Sequence, residues 1–252
     1  MMRFYDDWEF NVIGVYNYRK PGPFSAYVDF IRHNHDKLDG DILEAGVFRG
    51  SSLLGTAMLL KELGSQKKVY GFDSFAGFPP DDHPNDALER FRDLRDEGRI
   101  SEEHFRKVEH NLELRQALSG VTQTAKNIST SADFSGTSLE LVEKKIDLLG
   151  LDNIVLVPGK FEDAMQAKRP DPEKICAVMM DCDLYQSYMT TFNFVWPRLV
   201  PGGMVYLDEY YSLKFPGARL ASDEFIEDKP AMLKAAPARQ GDFERWYLLK
   251  TA

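Results

Sequence analysis

The chain has little sulfur chemistry and no long apolar stretch. Its only cysteines are Cys176 and Cys182, with neither the CxxC pairing nor the neighbouring histidines of a zinc site, so they read as packing thiols in a reducing compartment. No run approaches the ~20 apolar residues a membrane span needs, and acids Asp6 and Asp7 stand where a secretory leader would be apolar. We therefore expect a cytoplasmic protein with no membrane partner. Positive charge is also short: 31 Lys and Arg against 40 Asp and Glu leave a net charge of −9. That field repels phosphate backbones, which argues against a nucleic-acid partner. The pyrophosphate-seating G-x-G-x-x-G is missing as well, which disfavours a dinucleotide cofactor.

What is present is a strand–helix alternation on a scale of 252 residues, enough for one large α/β domain spanning 1–252. Residues 1–22 are rich in aromatics (Phe4, Tyr5, Trp8, Phe10, Tyr16, Tyr18) without a sustained period, and read as an arm packing on the body or on a second copy in a homo-oligomer. A helix is predicted over 24–37. Apolar runs at 41–46, 67–73, 153–157, 175–180 and 204–207 predict strands buried on both faces. Helical spacings between them (Leu53, Leu54, Ala57, Met58, Leu60 in 51–63; Leu139, Val142, Ile146, Leu149 in 137–149; Tyr188, Phe192, Val195 in 185–196) predict crossover helices, and hence a parallel sheet. After a helix over 219–228, runs at 232–236 and 243–249 lie so close across Gln240-Gly-Asp242 that only an antiparallel hairpin connects them. Residues 80–135 are too long for a βα connection. Leu88, Phe91, Leu94 and then Phe105, Val108, Leu112 recur at helical spacing there, so we read a helical lid inserted after the second strand.

In open parallel sheets, ligands bind where strand carboxyl ends meet helix starts. The first strand ends in Glu44-Ala-Gly46-Val-Phe-Arg-Gly50-Ser51-Ser52. Its glycines let a ligand approach the backbone, and the donors at the next helix start can hold a carboxylate. The second ends at Asp73, suited to accept from two ribose hydroxyls. The third is followed by Pro158-Gly159-Lys-Phe161, a turn with an aromatic for adenine stacking. Candidate cofactor contacts are thus Glu44, Gly46, Val47, Arg49, Ser51, Ser52, Asp73, Ser74, Gly159, Phe161 and Asp181. Arg49 either meets a carboxylate or braces its loop.

The fourth strand ends in Met180-Asp181-Cys182-Asp183-Leu184-Tyr185 and the fifth in Leu207-Asp208-Glu209-Tyr210. Neighbouring parallel strands would bring Asp181, Asp208 and Glu209 together as hard oxygen donors for Mg²⁺ or another hard divalent cation. The alternative is that acids at strand ends cap the following helices, Asp183 above all. The lid histidines His83, His104 and His110 are weaker acid–base candidates, with His104 and His110 expected on the surface; Tyr185, Tyr210 and Tyr211 either line an acceptor pocket or pack.

In order along the chain, Glu44-Ala-Gly-Val-Phe-Arg-Gly50, Asp73-Ser-Phe-Ala-Gly-Phe-Pro79, Pro158-Gly-Lys-Phe161, Met180-Asp-Cys-Asp-Leu-Tyr185, Pro201-Gly-Gly203 and Asp208-Glu-Tyr210 resemble the macrocin-type (TylF-like) O-methyltransferases. The resemblance covers roughly 40–80 and 135–228. It implies a class I methyltransferase sheet, Rossmann-like, seven-stranded and mostly parallel with an antiparallel last strand. It further implies S-adenosylmethionine as cofactor, Mg²⁺ on Asp181, Asp208 and Glu209, and Asp183 as general base. The acceptor would be a small hydroxylated molecule, most simply a sugar diol of a natural product or glycan. A catechol-like aromatic presents the same two oxygens, and a non-catalytic cofactor-binding module is a reading of another class. Two positions depart from the family pattern: Glu209 stands in place of the usual Asp, and Cys182 in place of the usual Gly.

Overall fold

The predicted apolar runs become strands of one seven-stranded sheet. The computed structural model describes residues 1–166, 171–237 and 243–252. Helices α1 (Asp7–Ile13) and α2 (Ser25–Asn34) precede β1 (Asp41–Ala45), α3 (Ser51–Glu62) and β2 (Val69–Asp73). A 3₁₀ turn (Pro84–Asp86) and helices α4 (Arg90–Asp96) and α5 (Glu102–Ser119) form the insertion. Then come α6 (Leu139–Leu149), β3 (Ile154–Pro158), α7 (Phe161–Gln166), β4 (Ile175–Met180), α8 (Tyr185–Val195), β5 (Leu199–Leu207), α9 (Pro216–Ile226), β6 (Ala231–Ala235) and β7 (Trp246–Lys250).

The strand order is β3-β2-β1-β4-β5-β7-β6. All pairings from β3 to β5 are parallel, and β7 runs antiparallel to both its neighbours. The last strand is therefore the antiparallel one, as expected. The β6–β7 hairpin is present, while its expected turn at Gln240-Gly-Asp242 lies outside the described residues. Strand order reverses between β1 and β4, so the crevice beyond their carboxyl ends is the natural ligand position.

Both sheet faces are covered. One core gathers Ile42, Leu53, Met58 and Met179 with the N-terminal residues Phe4, Phe10 and Tyr18. The other gathers Leu43, Val178, Tyr188, Phe192 and Val205. Helix α3 was expected to be apolar on one side, yet it is buried from Ser52 through Leu60. The reason is the arm: residues 1–22 lie over the outer face, so closely that a side chain on Gly55 would strike the Tyr16 backbone. Strand β5 begins at Leu199 rather than Met204. Its Val200–Gly203 stretch bulges, since Ile175 pairs with Leu199 but Ala177 already pairs with Met204.

The insertion is helical, as predicted. Phe91, Leu94, Phe105 and Val108 make a small core of their own with Ile100 and with Leu220 of α9. Arg99, between α4 and α5, ties it to α9 by donating from Nε (3.0 Å) and Nη2 (2.8 Å) to Asp223.

Gly46 is the tightest point of the crevice. Its φ is +90°, and a Cβ there would run into the Asp181 carbonyl at the end of β4. Gly46→Ala should therefore cost about 2 kcal/mol or more in urea unfolding, from left-handed strain with a backbone clash added. An unchanged unfolding midpoint would show that the β1 and β4 ends do not meet this closely.

Candidate active site

The turn after β1 is built by the acid that ends β2. Asp73 Oδ2 accepts from Val47 N (2.7 Å) and Phe48 N (2.8 Å), and Oδ1 accepts from Phe75 N (2.6 Å). This clamp holds Phe48 at φ +49° and Phe75 at φ +52°, a region costly for non-glycine residues that persists where neighbours over-determine it. In front of it opens a cleft of about 540 Å³, lined among others by Gly46, Asp73, Ser74, Gly159, Phe161, Asp181 and Asp183. Phe134, from the segment following the insertion's helices, closes one wall against Phe48 (5.3 Å between ring centres) and Phe78 (5.1 Å).

Not every predicted cofactor residue reaches that cleft. Glu44 is fully buried behind the turn, where Ser52 Oγ donates to its Oε1 at 2.8 Å while Oε2 has no hydrogen-bond partner. Side chains alternate along a strand, and Glu44 points with Ile42 toward α3 rather than outward. Val47 is buried and offers its amide to Asp73. Ser51 is exposed, its carbonyl accepting from Tyr16 N at 3.0 Å. Arg49 braces the loop, donating from Nε to the Gly136 carbonyl at 2.8 Å with its guanidinium over the Phe48 ring.

The acids at the ends of β4 and β5 do converge. Asp181 is held well above the usual carboxylate range by burial and then by Asp208, Asp183 and Glu209. Burial and then Glu209 also raise Asp183, with Lys214 opposing. Burial and Glu209 push Asp208 up to about 6, against Arg245, Lys214 and a hydrogen bond with Asp181. Like charges this close raise one another, and Arg245 and Lys214 offset part of that repulsion. Asp208 Oδ1 has no hydrogen-bond partner, although Arg245 stands 3.6 Å away, so the oxygen donors have the hardness that suits a divalent cation and one of them is short of a hydrogen bond. Glu209, by contrast, is turned to Lys214 (Oε1 to Nζ 3.1 Å). Among the described residues no three His, Cys, Asp or Glu side chains stand in a metal-ligating group.

Asp183 does not cap the helix that follows it. The N-cap of α8 is Leu184, without a side-chain bond, and the Tyr185 amide is taken by Asp86 of the insertion at 2.8 Å. Sequence spacing missed Asp86, Lys214 and Arg245, the last lying 3.6 Å from Asp208. It also missed Tyr188, whose hydroxyl donates to the Met180 carbonyl (3.1 Å) and accepts from Glu209 N (3.3 Å), joining the two acid-bearing strand ends. His104 is not on the surface. It is buried, stacks on Tyr211 at 3.9 Å, and its Nε2 donates to the Ser212 carbonyl at 2.7 Å. Burial holds it below the ordinary histidine value, so it anchors the loop as a neutral ring. His110 is exposed, and His83 stacks on Tyr185.

The family model described as macrocin-O-methyltransferase (TylF) matches residues 26–121 and 120–234. The chain is 30% identical over 196 residues to mycinamicin III 3''-O-methyltransferase of Micromonospora griseorubida, covering 75% of this chain and 61% of that protein. It is 28% identical over 178 residues to a tetracenomycin-rhamnosyl 4'-O-methyltransferase of Streptomyces olivaceus, covering 69% and 54%. The chain thus spans less than two thirds of the length of both. Among solved structures, the O-methyltransferase NovP superposes with a TM-score of 0.60 at 20% identity, over 97% of this chain and 80% of that one. The calicheamicin methyltransferase CalS11 gives 0.57 at 20% identity, over 90% and 76%. The fold is that of these methyltransferases.

Burial pushes Glu44 up from 4.5 to about 8. Its folded value lies above its unfolded one, so its contribution to stability is complete below about pH 4.5 and is lost as pH rises through 8. Urea unfolding of the wild type should therefore weaken across that window relative to Glu44→Gln, by at most about 1.4 kcal/mol per pH unit. Parallel pH profiles for the two proteins would refute this.

Proposed function

The chain belongs to the macrocin-O-methyltransferase (TylF) family, and from that premise we propose that it transfers the methyl group of S-adenosylmethionine to a sugar hydroxyl of a natural product. The observation that carries this reading is one cleft whose wall includes both the cofactor-turn residues Gly46, Asp73 and Gly159 and the acids Asp181 and Asp183. A sulfonium methyl seated over that turn would point at the end of β4. The relatives support the acceptor class, since their names specify sugar positions of mycinamicin and rhamnosyl tetracenomycin.

In this reading Gly46 admits the cofactor, Ser74 and Asp73 face its ribose, and Phe161 faces its adenine. Glu44 and Ser52 support the turn from behind, and Arg49 braces it. Asp181, Asp208 and Glu209 would hold a divalent cation, which when bound acidifies and fixes the two oxygens of a vicinal diol. Asp183 takes the proton of the attacking hydroxyl. Asp183 is buried, and burial and Glu209 raise it while Lys214 lowers it, so its affinity for a proton is above that of an exposed carboxylate. The insertion and the Phe134 wall act as the lid that keeps water from the sulfonium and holds the acceptor at attack distance. Nothing in this scheme calls on a nucleic acid or a membrane; among the described residues no helix is long and apolar enough to cross a bilayer.

Three experiments test it. Asp183→Asn should lower kcat by about 10²–10⁴-fold while S-adenosylhomocysteine binds as in the wild type by calorimetry; a wild-type kcat removes Asp183 as the base. Chelation should abolish turnover of a rhamnosyl acceptor, and added Mg²⁺ should restore it and raise the melting temperature of the wild type but not of Asp208→Asn. Full activity in excess chelator would eliminate the cation. A panel of sugar diols and catechols separates the acceptor classes.

A further inference from the structure

Asp183 occupies a conformation that its own residue type does not favour. Its φ is +59°, and Leu184 N donates to the Cys182 carbonyl at 2.6 Å across it. A three-residue turn closed over a positive φ is the rare, strained form of the γ-turn, and such strain lasts only where the surroundings over-determine it. The constraint does not come from a local cap, because the N-cap residue Leu184 makes no side-chain bond. The insertion supplies a side-chain contact just beyond the turn. Asp86 is 5% exposed, and its Oδ1 accepts the Tyr185 amide at 2.8 Å, two residues after Asp183.

Three further contacts converge on Tyr185. The His83 ring stacks on the Tyr185 ring at 4.6 Å and 12°. The Tyr185 hydroxyl donates to Glu224 Oε2 of α9 at 2.6 Å. Gly217, in the first turn of α9, comes so close that a Cβ there would strike both the Asp86 carboxylate and the Tyr185 backbone. Asp86 is therefore wedged between the starts of α8 and α9, 99 residues upstream of the amide it binds. Burial pushes the Asp86 carboxyl up to about 6, and the Tyr185 amide opposes that shift.

We propose that Asp86 is a positioning residue: it anchors the first amide of α8 and thereby holds the strained Asp183 turn in the geometry from which Asp183 accepts a proton. This rests on the reading of Asp183 as the base. It gives the insertion a role besides covering the cleft, because docking of its 3₁₀ turn sets the geometry of the base.

The test compares Asp86→Ala, Asp86→Asn, Asp183→Asn and the double variant Asp86→Ala/Asp183→Asn under single-turnover conditions, with S-adenosylhomocysteine affinity measured on each. Asp86→Ala should lower the methyl-transfer rate about 10–100-fold, with cofactor affinity within about twofold of the wild type. Asp86→Asn, whose carbonyl oxygen can still accept the Tyr185 amide, should recover most of the rate. The double variant should be no slower than Asp183→Asn, because a residue acting through another adds nothing once that other is gone. If Asp86→Ala does not fold, Asp86→Leu keeps the volume without the acceptor and replaces it throughout. A wild-type rate in Asp86→Ala beside a slow Asp183→Asn overturns the positioning role alone. So does a double variant slowed by the product of the two single effects, or an Asp86→Asn as slow as Asp86→Ala. A wild-type rate in Asp183→Asn overturns instead the base reading.

Discussion

Gathering carboxylates where two adjacent strands end, out of water, is the constraint around which the rest of this molecule is arranged. Asp181, Asp183, Asp208 and Glu209 repel one another, and burial removes the solvent that would screen them. Two cations answer that field, and each comes from a different part of the chain. Lys214 sits in the loop after β5, and Arg245 precedes β7. Burial pulls Lys214 down, but Glu209, Asp183 and Asp208 outweigh it and hold it above its ordinary value. The antiparallel hairpin thus does more than complete the sheet, because it delivers Arg245 to the end of β5.

The loop that carries Lys214 needs support of its own, and that support is drawn from the insertion. Neutral His104 holds the Ser212 carbonyl, Asn111 Nδ2 donates to the Leu213 carbonyl at 3.1 Å, and Ser212 Oγ accepts from the Lys214 and Phe215 amides. Asp86 ties the same insertion to α8, and Tyr188, one turn further along α8, joins the ends of β4 and β5. Each acid-bearing segment therefore has a contact traceable to residues 83–112. A helical insertion that only covered the cleft would not need its polar residues aimed at backbone groups of the site. These are so aimed, and a half-satisfied network of this kind would be costly in a dry interior.

Much of this was legible in the sequence, for identifiable reasons. Strands buried on both faces leave continuous apolar runs, and the acids that end two such runs must lie side by side if the runs pair. Asp181 and Asp208 follow from that alone. Glu44 was misplaced because the turn sequence was read as a unit, although period-two alternation puts it on the face of Ile42, toward α3. His104 was assigned to the surface by its charged neighbours, although it lies at i, i+4 and i+8 with Val108 and Leu112 on one helical face. Asp86 gave no signal: its partner is a backbone amide 99 residues away, and a lone acid after Pro-Asn looks like any turn. Contacts of side chain to distant backbone leave no periodicity to read.

The placement of Glu209 follows from the same electrostatics. Glu209 carries one methylene more than Asp208, and its carboxylate is turned to Lys214, 3.1 Å away. Asp208, with the shorter side chain, stays at the strand end with Asp181, one oxygen without a hydrogen-bond partner. Each of the two acids that follow β5 thus has a cation of its own: Arg245 stands 3.6 Å from Asp208 and Lys214 stands 3.1 Å from Glu209. On the proposed reading, a divalent cation would compete with Arg245 for Asp208 and with Lys214 for Glu209. On that same reading, the reach of the Glu209 side chain and the lysine that holds it would set how readily the chain takes such an ion.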